Sequence, residues 1–144
     1  MGTWGTKVLQ NDACGDYMWK IYHMMFRSSA ASLHDMVEHL LRNPDSPNYN
    51  DDNYRMLGIA IVDASMHDYD PNLLKSIKDD TYCRDINCEF FRYMKLVPLP
   101  DLVPLAKENL QLLISKKAES WRDSAKEDRM SLYQTYMSRL EEVE

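Results

Sequence analysis

Carboxylates are the side chains of this sequence with the clearest capacity for chemistry. Asp12 and Asp16 stand four residues apart, so both would lie on one face of a first helix. Asp63 lies within the apolar run 59–64. Since a buried carboxylate needs hydrogen-bond donors or else takes up a proton, we expect Asp63 to accept hydrogen bonds from the segment 4–6 or from an arginine. A catalytic base is the alternative role.

The segment 34–39 is a second candidate, because it combines two histidines with two carboxylates. On a helix, His34 pairs with Glu38 and Asp35 pairs with His39, each four residues apart. A metalloprotease helix instead needs two histidines four apart, with a glutamate after the first. These histidines are five apart and diverge by roughly 140° around a helix. The pattern therefore predicts surface ion pairs, with a metal site as the alternative.

Further acids are interspersed with tyrosines in the middle of the chain. The calcium-loop pattern with its central glycine is absent, so these acids predict a solvated face or a negative patch that meets a basic partner. Acidic complementarity would speed association, and tyrosines would serve as anchors. The candidate partner-binding residues are Asp51, Asp52, Tyr54, Asp68, Tyr69, Asp70, Asp79, Asp80 and Tyr82.

Composition limits the fold class. The 144 residues are 44% hydrophobic and include only 4 glycines and 6 prolines. This length fits one domain with a sizeable core, and the scarcity of turn formers favours helices over a sandwich or barrel. We therefore predict an all-α protein, a single compact domain over residues 1–144 with about six to seven helices.

Charge and cysteine content limit the partners and the compartment. The net charge of −6 repels phosphate, so we expect no nucleic-acid partner. Three cysteines suit neither a paired disulfide framework nor a four-thiolate zinc site, and reduced thiols are typical of the cytoplasm. No stretch of about 18 apolar residues occurs. We expect a cytoplasmic protein without a cofactor, a catalytic metal or a membrane partner; its oligomeric state is left open.

Helical periodicity indicates which elements carry these residues. Asn11 or Asp12 is expected to cap a first helix that runs to about residue 26. A second helix is predicted from residue 31 or 32 to 42. The third, about 52–66, has apolar residues on nearly every face, which predicts a central, buried helix.

Two capping signals lie in the last third of the chain. Asp101 is expected to cap a longer helix with Pro104 in its first turn. The pattern Ser124 to Glu127 is a capping box that predicts the start of a last helix.

The opening segment resembles a family of small, mostly bacterial, helical proteins of unknown function. Members of that family begin with a Trp-Gly-Thr-Gly run and place an Asn-Asp pair at the head of the first helix. The matching residues are Trp4, Gly5, Thr6, Asn11, Asp12 and Asp16. The segments 60–64 and 115–121 are similar to its alanine-rich and serine-to-tryptophan stretches. Because Lys7 replaces the second glycine and 8–9 replace a proline-aromatic pair, the chain resembles a divergent member.

The resemblance implies a fold and no activity. We interpret Trp4 as a core residue, Gly5 as a site of close backbone approach, and the pair Asn11 and Asp12 as a helix cap. Trp4 and Asp63 are predicted to belong to one buried cluster.

Two main hypotheses for function follow, and a helical scaffold or oligomerisation module is a third. The first is a cytosolic immunity protein that binds and blocks a cognate basic, nuclease-type bacterial toxin, with carboxylates that mimic phosphate. It predicts tight, salt-sensitive binding to a basic protein encoded beside this chain. The second is a small metal-dependent enzyme or metal-binding protein that uses Asp12, Asp16, Asp63 and a histidine.

Overall fold

All regular elements of the computed structural model are helical within the residues it describes, which are 30–42, 51–67, 91–116 and 123–143. The predicted all-α class is confirmed for this part of the chain. Residues 91–93 are also helical, and the total of six to seven helices and the single domain remain predictions. The labelled helices are α1 (Ala30–Arg42), α2 (Asp51–Met66), α3 (Val103–Lys116) and α4 (Asp123–Glu141), and 3-10 turns span Met94–Leu96 and Pro100–Leu102.

Helix α1 is amphipathic, as its sequence predicts. Leu33, Val37, Leu40 and Leu41 are buried and recur at helical spacing. The opposite face carries the histidines and carboxylates of the segment 34–39. Its observed bounds differ from the predicted ones by one or two residues at the first turn only.

Helix α2 is the central helix of the described fold. Every residue from 56 to 63 is buried, and α2 contacts α1, α3, α4 and both 3-10 turns. A helix surrounded by other helices has little surface for polar side chains, which explains why residues 56–62 carry none. The prediction of a central, buried third helix is confirmed.

The approach to α3 differs from the predicted one. The chain enters α3 through the 3-10 turn Pro100–Leu102, so Asp101 lies inside that turn and does not occupy the predicted cap of a helix beginning at 102. Its carboxylate contacts His34 of α1. Leu112 of α3 is 39% exposed.

Helix α4 is the longest described helix and lies against α2 and α3. It begins at Asp123, so Ser124 lies inside the helix rather than at its cap. Its buried stripe is Arg129, Leu132, Tyr133, Tyr136 and Leu140. Among the described helices, none has the length and apolarity that a bilayer span requires.

Candidate functional site

Asp63 of α2 forms a buried ion pair with Arg139 of α4. The carboxylate is 2% exposed and the Arg139 side chain is 22% exposed. The Arg139 Nε–H donates to both carboxylate oxygens, at 2.9 Å and 3.0 Å. Arg139 is therefore the arginine of one of the two predicted alternatives, and the other alternative, the segment 4–6, lies outside the described residues.

His67 extends this pair at the last turn of α2. Its Nε2 lies 2.7 Å from the Arg139 carbonyl oxygen and 3.9 Å from the Asp63 Oδ1. The three residues together connect the ends of α2 and α4. A carboxylate bound to a guanidinium in this way is a poor proton acceptor and a poor metal ligand, so this geometry favours a structural role for Asp63.

Tyr136 of α4 lies in the same buried region. It is fully buried, and its hydroxyl has no hydrogen-bond partner among the described residues. Burial and the negative charge of Asp63 raise the pKa of Tyr136 well above its usual value, while Arg139 acts in the opposite direction. The phenol therefore stays neutral. Trp4, the other predicted member of the cluster around Asp63, lies outside the described residues.

A second polar cluster, the His34 cluster, consists of His34, Asp35, Glu38 and Asp101. Helix α1 supplies the first three, and the 3-10 turn before α3 supplies Asp101. The His34 Nε2 lies 2.6 Å from the Asp101 Oδ2. The His34 Nδ1 lies 3.7 Å from the Asp35 Oδ1 and 3.9 Å from the Glu38 Oε1. Carboxylates therefore face both ring nitrogens. The contact with Glu38 is the predicted pair four residues apart.

This environment favours the charged imidazole. Partial burial lowers the pKa of His34, but the hydrogen bond to Asp101 and the charges of Asp101 and Glu38 outweigh it, so the pKa is raised above the usual 6.5. Protonated His34 can donate from both ring nitrogens at once. It therefore connects α1 to the turn that precedes α3.

Replacing His34 with glutamine is expected to cost more stability at pH 6 than at pH 9. Because the folded-state pKa is raised, the contribution of protonated His34 is complete below the unfolded pKa of about 6.5 and is lost as the pH rises through the folded-state value. The difference should be at most about 1 kcal/mol, since the pair is partly exposed. Urea unfolding of both proteins at the two pH values measures it. An equal loss at both would contradict the assigned pairing.

The His34 cluster also has the donor types of a metal site. One ligand atom each from His34, Asp35 and Glu38 lies within 4.8 Å of the others. The Arg42 Nε–H donates to the Glu38 Oε2 at 2.9 Å, so Glu38 has a competing cation. Within the described ranges, no second group of three such residues meets the same criterion.

The predicted partner-binding residues divide into two sets. Asp51 and Asp52 are the first two residues of α2, and Tyr54 is half-buried and packs against the core. The remaining candidates lie outside the described residues, as do the predicted structural residues of the opening segment. These are Asp68, Tyr69, Asp70, Asp79, Asp80 and Tyr82, and Gly5, Asn11, Asp12 and Asp16.

Comparison of the chain with models of protein families, with curated proteins and with solved structures finds no match. The resemblance of the opening segment therefore remains a prediction from the sequence. Any function must be argued from the described side chains themselves.

Proposed function

We propose that this protein is a non-catalytic binding protein of the bacterial cytoplasm that blocks a basic, nuclease-type toxin. The observation that carries the proposal is the exposed acidic surface of the His34 cluster. Asp35 and Asp101 are 81% and 68% exposed, and the whole chain carries a net charge of −6. Exposed carboxylates on a rigid helix and an adjoining turn can pair with lysines and arginines of a basic partner.

The chemistry of a nuclease makes such a surface an effective inhibitor. A nuclease active site binds phosphates through cationic side chains, and clustered carboxylates offer oxygens of similar charge and geometry. Long-range attraction between an acidic and a basic protein mainly raises the association rate.

The buried ion pair supports this proposal over the enzyme hypothesis. That hypothesis uses Asp63 as a ligand or base, whereas the Asp63 oxygens accept hydrogen bonds from Arg139. A partner would instead contact exposed carboxylates such as those of Asp35 and Asp101.

Association kinetics test the proposal. The probe is the basic protein encoded immediately beside this chain, in an inactivated form, and the variant is the double substitution Asp35→Asn with Asp101→Asn. We expect its association rate to fall by about tenfold or more at low salt, and the difference to shrink as salt screens the charges.

The matched control removes the same charge elsewhere. Glu141→Gln with Glu142→Gln neutralises two exposed carboxylates at the end of α4, and its association rate should change by less than about threefold. A loss of no more than about threefold in the Asp35 and Asp101 variant would contradict the electrostatic mechanism. The absence of a toxin-like neighbouring gene would also count against the proposal.

A divalent-metal-binding protein is the second candidate function, because the His34 cluster has a specific arrangement. The Nδ1 of His34 faces Asp35 and Glu38, while Asp101 holds the Nε2. A carboxylate on the far nitrogen is the arrangement that orients and strengthens a histidine ligand.

Elemental analysis and melting curves with Mn²⁺ or Zn²⁺ at pH 8 distinguish this candidate from the first. A bound metal, and a melting shift that His34→Gln removes and His39→Gln preserves, would favour it. No metal and no shift would leave the toxin-binding protein as the better account.

A further inference from the structure

A cleft with a volume of about 420 Å³ lies between α1, α2 and α3. Its walls combine leucines with charged and amide side chains. This volume lies within the range of small-molecule sites, which are mostly apolar with a few fixed polar groups. The residues used below are Leu41, Arg55, Leu105, Glu108, Asn109 and Leu112.

Arg55 is one of the two arginines that line this cleft, the other being Arg42, and its orientation is fixed. One terminal nitrogen donates a hydrogen bond to the Asn109 Oδ1 at 2.5 Å. The Asn109 Nδ2–H in turn donates to the Leu105 carbonyl oxygen at 2.8 Å. The guanidinium is thus held in place by an amide that is itself tied to α3.

The charge of Arg55 is not neutralised by a described carboxylate. Among the described residues its hydrogen-bond partner is the neutral Asn109, and its buried Nε has no acceptor there. The neighbouring Arg42 differs, because it pairs with Glu38. A half-buried guanidinium that lacks an anion beside an open cleft is the feature that an anionic ligand would complete.

We propose that this cleft binds an organic carboxylate that carries an apolar group. The carboxylate would accept hydrogen bonds from the terminal nitrogens of Arg55, and the apolar group would lie against Leu41, Leu105 and Leu112. A bare inorganic anion would leave this apolar wall unused. The proposal is independent of the toxin-binding function, since the cleft shares none of Asp35, His34 and Asp101.

The charges around the cleft set the expected affinity. Glu108 lines the cleft and is exposed. Its charge and the net negative charge of the whole chain both oppose the binding of an anion. Screening at physiological salt removes most of the opposition from acids more than about 8 Å away, whereas Glu108, which lines the cleft, opposes the anion directly. The contact with Arg55 acts within hydrogen-bond distance, and we therefore expect weak but carboxylate-dependent binding.

A titration followed by amide chemical shifts tests the proposal with two matched probes, N-acetyl-leucine and N-acetylleucinamide. The probes differ in whether the terminal group is a carboxylate or a neutral amide. N-acetyl-leucine should shift the resonances of Arg55, Asn109 and Leu112 saturably, and the amide should bind at least about fivefold more weakly. Equal effects of both probes, or no shift with either, would overturn the proposal.

Variants separate the role of Arg55 from that of net charge. Arg55→Met should abolish the carboxylate-dependent shifts, whereas Lys126→Met removes the same charge from α4 and should preserve them. If circular dichroism shows that Arg55→Met does not fold, Leu112→Glu places a carboxylate at the exposed mouth of the cleft and should abolish binding equally. Unchanged binding in the variant that folds would overturn the proposal.

A peptide that ends in leucine identifies the source of the carboxylate. Tighter binding of the peptide than of N-acetyl-leucine would assign the cleft to a chain terminus. Equal binding would assign it to a small acid. Both outcomes support a carboxylate site.

Discussion

Replacing Arg139 with methionine is expected to lower the free energy of unfolding by about 3 kcal/mol. The substitution keeps most of the apolar stem but removes a charged donor that contacts both Asp63 oxygens. Asp63 is 2% exposed, so water cannot replace that donor without opening the contact between α2 and α4. An uncompensated buried charge costs far more than the pair itself contributes. Urea unfolding at pH 7 measures the loss.

Two further variants distinguish the buried charge from a general effect of losing an arginine. Arg42→Met breaks the surface pair with Glu38, where Arg42 is 59% exposed, and should cost less than about 1 kcal/mol. Asp63→Leu combined with Arg139→Met removes both charges and should be more stable than Arg139→Met alone. Equal losses in Arg139→Met and Arg42→Met would contradict the structural role of Asp63.

Replacing Gly58 with alanine is expected to lower the free energy of unfolding by about 1–3 kcal/mol, although alanine favours an isolated helix by about 1 kcal/mol. An added Cβ would lie 2.9 Å from the Leu41 Cδ2 and 3.2 Å from the Leu40 Cβ. The Leu41 side chain, which is 1% exposed, must shift, and the Leu40 Cβ is fixed by the backbone. Helices α1 and α2 must therefore separate.

A double-mutant cycle tests the cause of this loss. Leu41→Ala removes the side-chain atoms nearest to the new methyl group, so the combined loss of both substitutions should be smaller than the sum of the single losses. Urea unfolding of the two single variants and the double variant gives the coupling. An alanine variant more stable than the parent would contradict the close approach of α1 and α2.

The spacing of apolar residues along the sequence predicted the described helices well. The apolar spacing of α1 and the uniform apolarity of α2 depend on neighbours three or four residues apart, which a sequence displays directly. The capping box placed the start of α4 within about two residues of Asp123. The buried stripe of α4 includes the polar Arg129 and Tyr136, and Tyr136 lies close enough to Asp63 of α2 to feel its charge.

Contacts between distant segments could not be predicted from the sequence. Asp63 and Arg139 are 76 positions apart, and burial of the carboxylate indicated only that some donor was needed. Asp101 has the residue type and position of a helix cap, and only the packing of α1 against the turn before α3 reveals its contact with His34. Arg55 and Asn109 carry no motif, so their cleft has no signal in the sequence.

Inhibition of the toxin itself tests the proposed function most directly. The nuclease encoded beside this chain would be assayed for cleavage of nucleic acid with increasing amounts of the purified protein. The proposal predicts that activity falls to zero near a one-to-one ratio, and that Asp35→Asn with Asp101→Asn requires more protein at equal salt. Full nuclease activity in a large excess of the protein would contradict it.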